Sequence, residues 1–460
     1  MSESSTTAAS PRPWWADAVC WQVYPLGFCG APQRREDLEA EHPEVTHRLP
    51  RLLGWLDHLV SLGANVLILN PVFDSVSHGY DTLDHEHLDP RLGDDADLEA
   101  LIEAGHARGV RVVLDGVFNH LSERHPLVRE AVAAGPGTEA GDRIRWAEEH
   151  PYGFEGNDDL VELNLSDPAV QELVTGAMNH WLERGVDGWR LDAMYAAGAD
   201  AWRPILERVK AAHPEAWILG EVIHGDYPAI ARESGADSIT QYELWKALWS
   251  SAANGNLWEL QHALGRHRDF LAAPGGAHPL TFVGNHDTTR IASQLPDGRD
   301  LAVTTALLAL LPGIPAIYAG DEAGVTGVKE ERAGGDDAVR PAFPEDPERL
   351  AEELPTLKPE AAPRILEVHR RLIGLRRREP WLASAEVAVR EDALENTYAE
   401  IELRPTAGEA APLVLAVNLG EEARPAPGEV LEQVSGADML DGVGPAAPGT
   451  VPAHGVAVTR

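Results

Sequence analysis

Cysteine is nearly absent: Cys20 and Cys29 are the only two in 460 residues. Two thiols cannot frame a disulfide scaffold or a multi-cysteine metal site. Lysine is almost as scarce, present at Lys210, Lys246, Lys329 and Lys358, so arginine carries nearly all the positive charge. Basic residues are short as a class: 38 Lys+Arg stand against 74 Asp+Glu, a formal net charge of −36. Such a surface repels phosphate backbones and anionic lipid headgroups, which excludes nucleic acid and the membrane as partners. Long apolar runs are also missing. The most apolar stretch, Leu301 to Ala319, holds threonines and two prolines and reads as a buried helix running into a strand. The first fifteen residues lack a basic stretch followed by an apolar core, so they do not read as a signal peptide. The expectation is a cytoplasmic protein with residues 1–13 disordered.

What is present is enough apolar residue, 44%, to build large cores. From Trp14 onward, short β-rich runs alternate with longer helical ones. The strands read as 19–24, 65–69, 110–118, 188–191, 217–222, 238–241, 280–283 and 314–318. Between them lie amphipathic helices such as 97–108, with Leu98, Leu101, Ile102 and Gly105 on one face, and 170–184 and 201–212. Eight strand–helix units imply a parallel sheet and fit an α/β fold, a (β/α)8 TIM barrel over 14–379. A doubly wound sheet would want a glycine-rich phosphate loop after the first strand, and residues 23–27 are not one. About fifty weakly periodic residues, 121–168, follow the third strand as an inserted loop, and loops of that length are usually functional. Pro380 ends the last helix. Residues 380–460 then alternate like strands, at 386–390, 397–403 and 413–418, and read as a C-terminal antiparallel β domain, sandwich-like.

In a barrel of this kind the chemistry sits at the C-terminal strand ends. Polar residues cluster there: Asp115, Asn119 and His120 after the third strand, Arg190 and Asp192 on the fourth, Glu221 after the fifth, and Asn285, His286 and Asp287 after the seventh. Charged groups directly after apolar runs are costly unless paired. Several carboxylates with one arginine in one cleft suit glycoside hydrolysis, which needs a nucleophilic carboxylate and a proton-donating one, roughly 5–5.5 Å apart in retaining enzymes. Arg190 and Asp192 share a face by the period of two, so the guanidinium is expected to hold Asp192 ionised. Glu221 follows the apolar run 216–219, and burial there is expected to keep a proton on it.

At these residues the sequence resembles the α-amylase family, glycoside hydrolase family thirteen. Residues 115–120, 188–192, 220–222 and 282–287 resemble four signature regions in the family's order. Residues 70–73, 78–81 and 313–322 resemble further family segments, and the likeness extends from about Trp14 to Arg378. The resemblance implies Asp192 as nucleophile, Glu221 as general acid/base and Asp287 as the third carboxylate. It implies that Arg190, His120, His286, Tyr80 and Asp81 bind the sugar that becomes covalently attached, and loosely adds Asp336 and Arg340. Asn119 matches a calcium ligand of some members; no cofactor is required on this reading, with calcium left open and Asp142, Glu148, Glu149, Glu155, Asp158 and Asp159 as further oxygen donors.

The departures bear on specificity. Asp192 is followed by Ala193-Met194-Tyr195-Ala196 where many α-amylases carry Lys-His, which speaks against action on long polymers. Residues 162–164 resemble a short region of neopullulanase and cyclomaltodextrinase relatives. With about a dozen residues before the barrel, neither their extra N-terminal domain nor a separate starch-binding module is expected. Trp245, Trp249 and Trp258 are candidates for acceptor subsites. The expectation is a retaining hydrolase of small linear, cyclic or branched maltooligosaccharides, α-1,4 bonds favoured. An α-glucosidase or a transglycosylase, α-1,6 bonds included, uses the same chemistry. A catalytically inactive α-glucan-binding subunit is the rival from another class. Partners are these oligosaccharides, with a homo-oligomer left open.

Overall fold

A computed structural model describes residues 12–38, 44–275, 277–332, 334–408 and 410–460. The disordered segment expected at 1–13 lies, apart from its last two residues, outside the described residues. Eight parallel strands close a barrel: β1 Cys20–Val23, β2 Val66–Leu69, β3 Arg111–Gly116, β4 Gly188–Leu191, β5 Trp217–Gly220, β6 Ser238–Thr240, β7 His278–Phe282 and β8 Ile314–Tyr318. Each pairs with its neighbours in sequence, and β1 pairs with β8. The expected eight-stranded barrel is the observed one, with no strand end moved by more than two residues and 188–191 and 314–318 unchanged.

The strands are buried on both faces, and period two sorts their residues. Cys20, Val66, Ile68, Val113, Trp217, Leu219, Leu280, Phe282, Ile314 and Ala316 form one inner cluster. Their alternates, among them Trp21, Leu67, Val112, Ile218 and Ile317, join the large core under the helices. The inward row continues upward into polar residues: Gln22, Asn70, Asp115, Arg190 and Glu221. The register Arg190↔Asp115 and Arg190↔Leu219 sets these side by side at the top of the barrel.

The helices start earlier than the hydrophobic pattern alone predicts because their caps precede the apolar face. Asp94 and Asp97 form a reciprocal capping box that starts the helix at Asp95, and Leu98, Leu101, Ile102 and Gly105 are buried as expected. Asp167 accepts from the Ala169 and Val170 amides and starts the next helix at Pro168. Leu301–Leu310 is a helix buried along its whole length, running into β8.

Segment 121–168 is more ordered than its weak periodicity suggests. It carries a helix, Pro126–Ala134, and a three-stranded antiparallel sheet of His120–Ser122, Asn157–Glu162 and Gly153–Phe154. Strands of two to six residues are too short to show alternation in sequence. Beyond the helix Ala362–Arg378, five antiparallel strands form one sheet: β9 Glu386–Val389, β10 Tyr398–Arg404, β11 Leu413–Asn418, β12 Val430–Ser435 and β13 Gly455–Thr459, in the order β9-β10-β11-β13-β12. Ile401, Leu415 and Val456 on one face join the barrel's helical core. The second layer of the expected sandwich is only the ribbon Arg424–Pro425/Thr450–Val451, packed on Tyr398, Ala416 and Ala457. Among the described residues no helix is long and apolar enough to cross a membrane.

Candidate active site

Arg190 organises the polar end of the barrel. It is buried, and its Nη1 donates to both Asp115 oxygens at 2.8 and 2.7 Å and to Asp192 Oδ1 at 3.2 Å. Its Nη2 donates to Glu221 Oε1. Asp192 and Glu221, from β4 and β5, are thus brought together by one guanidinium, and both are buried. The other Glu221 oxygen accepts from the Ala193 amide at 3.0 Å. Ala193 adopts φ 46°, ψ 35°, left-handed backbone that a residue with a Cβ rarely takes. Strain of this kind collects at functional sites, and here it turns the amide after Asp192 toward Glu221. Gly220, the residue before Glu221, is glycine for space: a Cβ there would stand 2.2 Å from Met194 Sδ.

The charge arrangement differs from the expectation. Burial, with the negative charges of Glu221, Asp115 and Asp287 adding to it, pushes the Asp192 carboxyl well above the usual range against the pull of Arg190. The arginine expected to keep Asp192 ionised is shared among three carboxylates, which weakens its hold on Asp192.

Asp287 sits opposite in a different setting. Arg340 Nη2 donates to its Oδ1 at 2.7 Å, and His286 Nε2 lies 3.0 Å from its Oδ2. Burial acts to raise this carboxyl, but His286 and Arg340 outweigh it and hold it below the usual range. Asp336 Oδ2 lies 3.2 Å from Arg340 Nη2. The Arg340 guanidinium lies over the Tyr24 ring, 4.6 Å from its centre.

Tyr80 belongs to the same network. Its hydroxyl meets His286 Nε2 and Asp115 Oδ2, the latter at 3.2 Å. His286 is fully buried among Tyr80, Asn70, Gln22 and Asp287. His120 is buried too: its Nε2 lies 3.0 Å from the Tyr80 carbonyl, its ring stacks on Phe154 at 4.6 Å, and burial pushes it down to about 4, so it is neutral. Asp81 is buried with both oxygens taken by Ser77, from the amide at 2.9 Å and the hydroxyl at 2.5 Å. Its carboxylate closes the turn that carries Tyr80.

Two groups of residues escaped the sequence reading. Asp115 and Asn70 lie within the family-like segments, and Asp115 accepts from Arg190, Tyr80 and Asn70. Tyr242 was not named. Its hydroxyl donates to Glu221 Oε1 at 3.1 Å and accepts from Asn285 Nδ2 at 3.0 Å. Tyr242 lies two residues past β6, so the strand-end rule, applied to that strand as to the others, finds it. Of the tryptophans after β6, two pack against neighbouring rings. Trp245 stacks on Phe282 at 6.1 Å beneath the site, and Trp249 packs against Trp245. Trp258 is exposed and donates to Asn396 Oδ1 at 3.0 Å.

Asn119 is buried, its side chain 3.5 Å from His120 Nδ1. Asp142 accepts from the Gly137 amide, and Glu155 from Tyr195. Among the described residues, the groups of three or more His, Cys, Asp or Glu side chains with converging ligand atoms are His47/Asp94/Asp97 and Asp297/Glu421/His454. Neither includes an acid of the insert.

The sequence profile of the alpha-amylase catalytic domain matches residues 51–152 and 139–354. A maltogenic alpha-amylase of Bacillus acidopullulyticus is 29% identical over 395 residues, 81% of this chain and 64% of that protein. A cyclomaltodextrinase of Geobacillus thermopakistaniensis is 28% identical over 398 residues, 82% of this chain and 64% of that one. The chain therefore spans just under two thirds of the length of these curated relatives. Among solved structures, the cyclic alpha-maltosyl-(1→6)-maltose hydrolase from Arthrobacter globiformis superposes with a TM-score of 0.75 at 25% identity, covering 98% of this chain and 99% of that one.

Proposed function

The chain belongs to the alpha-amylase family, and from that premise we propose that it is a retaining α-glycoside hydrolase of small linear, cyclic or branched maltooligosaccharides, α-1,4 bonds favoured. The observation that carries this reading is the Arg190 guanidinium bonded at once to Asp115, Asp192 and Glu221. Two carboxylates reaching one guanidinium support the close spacing that retention needs.

Asp192 attacks the anomeric carbon while Glu221 gives its proton to the departing glycosidic oxygen. Water then enters: Glu221 takes its proton, the new oxygen bonds to the anomeric carbon, and Asp192 leaves. Glu221 must carry a proton and Asp192 none when the bond breaks. A sugar over Asp192 favours that placement, because positive charge developing on its ring stabilises the ionised Asp192. Asp287, kept ionised by Arg340 and His286, accepts hydrogen bonds from sugar hydroxyls. Tyr80 offers its ring to the sugar. Arg190 binds beside it, and His120, His286, Asp81, Asp336 and Arg340 fix the walls of that subsite. No step runs through a metal.

The presence of Asp192, Glu221 and Asp287 in one bonded network supports an enzyme over an inactive binding subunit. The likeness to a cyclic alpha-maltosyl-(1→6)-maltose hydrolase supports cyclic substrates and, as a second reading, α-1,6 bonds. We place the reaction in the cytoplasm: both cysteines are buried and unpaired, which suits a reducing compartment. Incubation with maltotetraose and with cyclic maltooligosaccharides, followed by chromatography, tests the proposal. Shorter sugars are expected from both; products longer than the substrate would favour transglycosylation, and α-glucans left untouched would overturn the reading.

A further inference from the structure

We infer that Tyr195 and Glu155 form a crossbar over the leaving-group side of the cleft that limits the length of glucan the enzyme cleaves; this rests on the hydrolase reading above. The Tyr195 hydroxyl donates to Glu155 Oε1 at 2.6 Å. Tyr195 is the third residue after Asp192, and its ring lies 5.4 Å from that of His224, the third residue after Glu221. The bar therefore links the loops carrying both catalytic carboxylates to the insert.

Its place on the leaving-group side follows from what lies elsewhere. Tyr80, His286, Asp287 and Arg340 wall the subsite of the attached sugar. Glu221 protonates the departing oxygen, so the sugars beyond that oxygen meet the loop that follows Glu221, where His224 and Tyr195 lie. A hydrogen-bonded bridge between two walls leaves no passage for a chain between them. A short or cyclic substrate ends before it; a long linear one does not.

The insert holds its end of the bar at a local cost. Phe154 and Asn157 pair across a two-residue turn in which Glu155 has φ 50° and Gly156 φ 81°. Positive φ at both positions is the requirement of a type I′ hairpin turn, where Asn, Asp and Gly are preferred. Glu155 is exposed and has a Cβ, so glycine would serve the turn better. The bond to Tyr195 gives a reason for glutamate. Phe154, beside it, stacks on His120, so the same turn touches both sides of the cleft.

The test compares the wild type with Tyr195→Phe and Glu155→Gly. For each protein, kcat/KM is measured on amylose and on maltotriose, together with the melting temperature. The ratio of amylose to maltotriose is expected to rise by about tenfold in both variants, the scale on which pocket contacts discriminate substrates. Glu155→Gly is expected to melt no lower than the wild type, because glycine adopts this φ freely. If Tyr195→Phe fails to fold, Glu155→Gly carries the test alone. Ratios within about twofold of wild type, with maltotriose still cleaved, would overturn the crossbar by itself. A wild type that cleaves neither glucan would overturn the hydrolase reading and the crossbar with it.

Discussion

On the floor of the cleft, Arg190 is buried and bonded to three carboxylates, and Asp115 beneath it accepts from Arg190, Asn70 and Tyr80. On the roof, Tyr195 and Glu155 meet through one exposed hydrogen bond. The floor residues stand on strands or directly at their ends, where backbone ladders fix each position and neighbours over-determine each side chain. The roof hangs on a two-residue turn of the insert and a four-residue helix, Met194–Ala197. The difference teaches where reaction and selectivity are kept. Bond breaking needs carboxylates held to a fraction of an ångström, and the barrel supplies that. Choice of substrate length needs only a barrier, and one bond between loops makes one.

Substitutions on the floor should therefore cost far more than those on the roof. Asp192→Asn or Glu221→Gln is expected to lower kcat by at least about three orders of magnitude, measured on maltotriose, because each removes a group that acts only in the transition state. Near-full activity in either would erase the distinction between floor and roof.

Asp115→Asn comes next, with kcat/KM expected to fall roughly 10- to 100-fold, since Arg190 loses a buried charged partner. It also carries a signed pH effect. Asp115 is one of the negative charges that push the Asp192 carboxyl upward. Removing it lets Asp192 ionise more readily, so the acid limb of the kcat/KM profile should move to lower pH. A limb that stays in place or moves upward would show that Asp115 does not act on Asp192 through charge.

Tyr242→Phe sharpens the comparison from its milder side. The variant keeps the ring against Phe282 and loses the hydroxyl that bonds Glu221 Oε1. A fall in kcat of about tenfold with little change in KM is expected, the effect of one hydrogen bond to an ionisable group. An equal rise in KM would assign Tyr242 to substrate binding instead.

The same contrast explains what the sequence disclosed. Asp192, Glu221 and Asp287 come just past the buried strands β4, β5 and β7, where charged residues announce themselves as exceptions, so their places were legible by position. Arg340 and Asp336 were reachable only through resemblance, because their segment has no strand to index it. Tyr242 was passed over because tyrosine after an apolar strand looks like core. Counting one arginine beside Asp192 omits Asp115 and Glu221, which share that guanidinium, and only the register Arg190↔Asp115 reveals the sharing. The insert was the least legible region. Its contacts, Phe154 on His120 and Glu155 on Tyr195, join positions far apart in the chain through strands too short to leave a pattern.

The central claim is that Asp192 and Glu221 work as a nucleophile and an acid/base pair with retention. The most direct test is NMR of the sugar released in the first moments of hydrolysis of an α-linked maltooligosaccharide, before mutarotation. The account predicts the α-anomer at the new reducing end; the β-anomer as the first product would contradict it.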